Sequence, residues 1–147
     1  MRSLACLAGA VAVVALCAGS CGPRKTIISP GDTTEHNQWE RGVWLYGQHC
    51  AGCHGDNGEG SEDDAPAIAG EGRLAHKSAS EDSERTATFD TAADVFAYVK
   101  AEMPPLAPGS LSDEQYWDVM LYVLKQAEIS APAEDLTAAN AAGEKLH

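Results

Sequence analysis

The stretch Cys50-Ala51-Gly52-Cys53-His54 constrains this chain more than any other part of it. Two thiols at i and i+3 on one helical turn can reach the two vinyl-derived carbons along one edge of a porphyrin. The next side chain then points an imidazole nitrogen at the iron, which is the spacing of a c-type haem attachment site. Two other chemistries use paired cysteines: a redox dithiol, which needs a βαβ setting, and half of a zinc site, which needs a second ligand pair. Neither setting is visible. His36, His49, His76 and His147 form no C-x-x-C or H-x3-H partner pattern, and no strand-like run flanks the motif.

At 147 residues the chain has room for one small domain with appendages, and its Ala-rich, Pro-punctuated composition favours an all-α fold. The formal charge is −12, which makes nucleic acid and anionic lipid surfaces poor partners. A redox partner protein with a basic docking patch suits such a surface better.

The other cysteines bear on location. Cys6 and Cys17 fall in a leader with Arg2 as its positive start, an apolar run over residues 4–18, and small residues Ala18-Gly19-Ser20 just before Cys21. This leader resembles a bacterial lipoprotein signal, although Ala18 stands where Leu or Val is usual. The resemblance implies export to the periplasmic side of a membrane, removal of residues 1–20 and acylation of Cys21. A plain secretory peptide with a soluble product is the competing reading. An uncleaved anchor fits less well, because Gly22-Pro23 ends an apolar run of only about 17 residues. Loss of Arg2 with the leader leaves nine basic residues against 22 acidic ones, a balance of −13.

Residues 21–36 read as a tether, rich in Gly, Pro, Thr, Ser and charge, with an r.m.s. span of about 20 Å. A domain follows over residues 37–129. Asn37 can cap a helix over 38 to about 50, with Trp39, Val43, Tyr46 and Cys50 on or near one face. Gly42 in mid-helix costs about 1 kcal/mol against alanine, which points to close approach of another backbone. Residues 55–70 have no helical period and read as a loop, and residues 73–88 as a surface loop or short helix. Thr91-Ala92-Ala93-Asp94 has the form of a capping box. It opens a helix with Val95, Phe96 and Val99 on its buried stripe, ending near Glu102 where Met103-Pro104-Pro105 stops it. Met103 is thereby held just outside the helix, where it can present its thioether. Ser112-Asp113-Glu114-Gln115 opens a further helix over 113 to about 127, with Tyr116, Trp117, Met120, Leu121 and Leu124 inward. The tail, 130–147, supports either a short docked helix over 132–142 or disorder.

A helix ending in Cys50-x-x-Cys53-His54, a Met-Pro pair 49 residues on and a closing Leu-Ser-Asp-Glu-Gln-x-Trp helix together resemble a class I c-type cytochrome over residues 38–127. The resemblance implies a small all-α domain wrapped around one haem c, bound through Cys50 and Cys53. It implies His54 Nε2 and Met103 Sδ as axial ligands, and the Pro66 carbonyl as acceptor from His54 Nδ1–H, which fixes the ring. It also implies that Gly42 and Tyr46 cross the last helix against Val119 and Tyr122. His76 is the competing sixth ligand; His49 adjoins the motif and Met120 reads as core. The expected function is electron transfer without enzymatic activity. Two alternatives stand beside it: a haem subunit of a larger membrane-associated dehydrogenase or oxidase, and a five-coordinate haem that binds a gas or peroxide.

Overall fold

The structure is a computed structural model, and it describes residues 36–62, 65–78 and 85–147. The leader, Cys21 and nearly all of the tether lie outside the described residues. Among the described residues there are four helices and no named strand: α1 (Gln38–His49), α2 (Ala51–His54), α3 (Ala92–Glu102) and α4 (Asp113–Gln126). None is long and apolar enough to cross a membrane. The fold is the all-α one expected.

Each longer helix starts where its side chains can satisfy the free backbone N–H groups of the first turn. Asn37, Thr91 and Ser112 each accept from the backbone N–H three residues on, and Glu40, Asp94 and Gln115 reach back to the cap residue. Three capping boxes therefore set the starts of α1, α3 and α4. The first was only half visible in the sequence, since Glu40 completes a box that Asn37 alone does not reveal.

Helix α4 is the centre of the molecule. All nine residues from Tyr116 to Leu124 are buried, rather than a single inward face. The reason is that α4 is covered on two sides. Leu45 and Tyr46 of α1 meet Val119, Tyr122 and Val123 on one side, while Phe89, Ala92 and Val95 meet Trp117, Met120, Leu121 and Leu124 on the other. Phe96 stacks on Trp117 with ring centroids 3.8 Å apart and planes 8° from parallel. On α3 only Val95 of the expected stripe is fully buried; Phe96 and Val99 are half-buried.

The α1–α4 crossing explains Gly42. A Cβ built there would overlap the Asp118 carbonyl oxygen and stand 3.3 Å from Tyr122 Cβ. The Tyr46 and Tyr122 rings are 4.6 Å apart at the same crossing. The fully buried stripe of α1 is Gln38, Gly42, Leu45 and Tyr46, with Trp39 and Val43 at its margin. Beside it Arg41 clamps Asp118 with two bonds of 2.8 Å. Burial pushes the Asp118 carboxyl above its ordinary value, and the Arg41 guanidinium offsets part of that.

The tail is docked, but not as an α-helix. Leu136 and Ala141 have no exposed surface and Leu146 is nearly buried, all three in the α3–α4 core. Its backbone joins the domain through Ala92 N–H donating to Glu144 O at 3.0 Å and Leu146 N–H to Asp90 O at 3.1 Å. In the described part of 73–88 there is no helix; Arg85 instead ties the segment together, donating to Ala75 O and Ala87 O and lying over the Phe89 ring.

Candidate haem site

Helix α1 delivers the motif. Its last turn ends at Cys50, whose N–H donates to Tyr46 O at 2.9 Å, and the short helix α2 then carries Cys53 and His54. Cys50 and Cys53 are both free thiols, the first half-buried and the second exposed. Burial, with a smaller contribution from Cys53, pushes the Cys50 thiol up to about 12. Tyr46 donates its hydroxyl to Gly55 O at 2.8 Å, which fixes the exit of α2.

The loop after His54 folds back over the motif. Gly60 N–H donates to His54 O at 2.7 Å, and Gly58 O accepts from both Ile68 and Ala69 N–H. Gly60 has φ of 78°, and a Cβ there would run into Ala67 N and Pro66 C. A glycine is thus required for the 65–67 strip to lie against the end of α2. The strip places Pro66 O 2.9 Å from His54 Nδ1. A ring that spends Nδ1–H on a carbonyl keeps Nε2 as its metal-binding nitrogen.

Met103 is the C-cap of α3, extended at φ −122° and ψ 144°, and half-buried. The Met103–Pro104 peptide is cis. The sequence did not reveal Tyr116: this buried side chain donates its hydroxyl to Met103 O at 2.9 Å, so it orients the residue rather than merely filling core. Tyr122, less than two turns further along α4, donates to Asp56 O at 3.4 Å. One helix therefore holds both the segment that carries Met103 and the loop that follows His54. His76 is placed differently, its Nδ1 2.9 Å from Asp90 Oδ1 at the opposite end of α3 from Met103.

The residues present fit a c-type haem. Two free thiols, an imidazole held by its Nδ1 and a thioether on the residue that caps α3 are the kinds of donor that such a group takes. Trp44 Nε1 is buried without a hydrogen-bond partner, and its ring joins the cluster that includes Cys50, Ala51 and Ile68, so a donor is left open in the motif's own cluster. Zinc fits poorly, since the described residues contain no group of three or more His, Cys, Asp or Glu able to hold a metal ion. The βαβ setting of a redox dithiol is likewise absent among them.

A family model described as cytochrome c oxidase, cbb3-type, subunit III matches residues 37–123, more than half of the sequence. The chain belongs to this cytochrome c family. Membership brings with it a covalently bound c-type haem, haem-based electron transfer and redox partner proteins. Among solved structures, the sulfane dehydrogenase SoxCD from Paracoccus pantotrophus resembles this cytochrome c domain with a TM-score of 0.53 at 24% identity. The match covers 74% of this chain and 52% of the other, so the chain spans about half the length of that relative, and the likeness is one of fold. No curated protein matches the sequence.

Proposed function

We infer that this cytochrome c domain is an exported single-haem electron carrier, with thioethers at Cys50 and Cys53 and with His54 Nε2 and Met103 Sδ as axial ligands. The observation that supports the reading is the 2.9 Å contact of His54 Nδ1 with Pro66 O, which leaves the ring's other nitrogen free to bind a metal next to two free thiols. When bound, the haem supplies an iron that cycles between ferrous and ferric states. This chain's own contribution is to hold the imidazole, to place the thioether and to bury the surroundings. With His54 Nε2 and Met103 Sδ both holding the iron, no position on it would be left for substrate, which is why the reading is a carrier and not an enzyme. Methionine donates weakly and favours the ferrous state, so the potential lies above that of a bis-histidine haem. Mass spectrometry of the mature protein under acid-denaturing conditions tests it: one haem should stay attached, and release of the haem into acid acetone would overturn it.

A second reading is a haem subunit of a larger membrane-associated dehydrogenase or oxidase. The matching family is described as an oxidase subunit and the structural relative as a sulfane dehydrogenase, which supports it. Stoichiometric co-purification of the haem domain with other subunits from solubilised membranes separates it from a mobile carrier. In either case we place the domain on the periplasmic side of a bacterial membrane, anchored by acylated Cys21. A mature N-terminus other than an acylated Cys21 would replace the anchor by soluble export.

A further inference from the structure

The segment between α3 and α4 is the longest uncharged stretch near the candidate site. Residues 103–112 carry no ionisable group in a chain that is 22% charged. Leu106 at its tip is 100% exposed, and it is the large hydrophobic side chain most open to solvent among the described residues. Single exposed leucines are common on protein surfaces. This one differs in its setting. Prolines at 104, 105 and 108 stiffen the loop, Ala107 N–H donates to Pro104 O at 2.9 Å, and Ser110 N–H donates to Ala107 O at 3.3 Å. Gly109 turns the chain at φ 68°. A leucine held out by successive turns loses little freedom when it is covered, so its burial goes largely into affinity.

The charges beside the loop are acidic. Exposed Glu102 precedes it and exposed Glu114 follows it, while Asp113 and the nearby Lys100 pair at 2.6 Å and offset each other. An apolar tip beside carboxylates disfavours anionic lipid, and two copies of the same surface would bring like charges together. We propose that the 104–110 loop, with Leu106 as its anchor, docks a redox partner protein that presents an apolar recess rimmed by lysine or arginine. The loop begins at the residue after Met103, so the contact lies beside the proposed axial ligand. This rests on the electron-carrier reading and says which surface the carrier uses.

The test takes the haem-loaded ferrous protein, isotope-labelled, and titrates it with ferrous mitochondrial cytochrome c as a basic redox-protein probe. Amide shifts should concentrate at 105–110 and at Glu102 and Asp113. Leu106→Ser should weaken binding by about tenfold and Leu106→Met by less than about twofold, because only the first removes the apolar anchor. Equal binding by wild type and Leu106→Ser, or shifts confined to another face, would overturn the proposal. So would a Leu106-dependent association with phosphatidylcholine vesicles, or a Leu106-dependent dimer in sedimentation. Oxidation of the ferrous protein by ferricyanide, which needs no docked protein, reads the carrier function separately: if it fails, the reading of the site fails whatever the loop binds.

Discussion

Gln38 and Leu136, 98 residues apart, exchange two hydrogen bonds of 2.7 Å: Gln38 Nε2 donates to Leu136 O, and Leu136 N–H donates to Gln38 Oε1. The amide is 4% exposed and Leu136 is fully buried, so a polar side chain enters the core because it is satisfied there. Gln38→Ala leaves a buried donor and a buried acceptor unpaired and should cost about 2–4 kcal/mol in urea unfolding. Asn140→Ala, which removes only exposed contacts, to Thr137 and to Asp135 O, should cost less, about 1 kcal/mol. A similar small cost for both would mean that the tail docks without Gln38.

Gly42 and Gly47 lie on the same helix and should respond oppositely to alanine. At Gly47 a Cβ meets nothing within 4 Å, so Gly47→Ala should stabilise by about 0.5–1 kcal/mol through helix propensity alone. At Gly42 the same gain is outweighed, because the new atom meets the backbone of α4 and the two helices must move apart. A net loss of about 1–3 kcal/mol is expected from thermal unfolding of the two variants. Stabilisation by both would show that the crossing is looser than its geometry.

Asp94 accepts from the Thr91 hydroxyl and from Thr91 N–H, both at 2.8 Å. The Thr91 hydroxyl, together with backbone N–H groups, holds its carboxyl below the ordinary value of 3.8. A lowered folded value means that the ionised group stabilises the fold at pH above the unfolded value, and that this is lost as pH falls through the folded one. Asp94→Ala should therefore cost about 1 kcal/mol at neutral pH. Unfolding measured from pH 6 downward should show the gap from wild type closing only below about pH 4. A gap that widens on acidification would contradict the sign.

The helix starts were readable because they are local: Thr91 with Asp94 and Ser112 with Gln115 are three residues apart, and so are Cys50 and Cys53. The place of Met103 at the end of α3 was readable for the same reason, since Pro104 follows it directly. The tail was not. Leu136, Ala141 and Leu146 have no helical or strand period, and the tail is held by bonds that join Leu136 to Gln38, Glu144 to Ala92 and Leu146 to Asp90, whose own sequence gives no sign of them. The role of Tyr116 was hidden in the same way, for its hydroxyl meets a carbonyl that only the turn between α3 and α4 brings near.

Met103 decides between a carrier and a ligand-binding haem. Met103→Ala in the haem-loaded protein should abolish the weak far-red band of sulfur-ligated ferric haem, lower the potential and admit carbon monoxide to the ferrous iron. Met120→Leu, a near volume-conserving change at a side chain with no exposed surface, should leave the band intact and cost under about 1.5 kcal/mol. A band that persists in Met103→Ala, or ready carbon monoxide binding by the wild type, would transfer the sixth position to another residue and favour the gas-binding alternative.

The pairing of Arg41 with Asp118 spans 77 residues, and it lies where α1 crosses α4. Synthesis delivers α1 first, and its main packing surface does not exist until α4 has followed. Through that whole interval α1, twelve residues long, has no partner to hold it helical, and Cys50 and Cys53 lie in an unpacked segment. The order of the elements along the chain thus leaves both thiols open until α4 packs, and from then on the two differ: Cys50 is half-buried while Cys53 stays exposed.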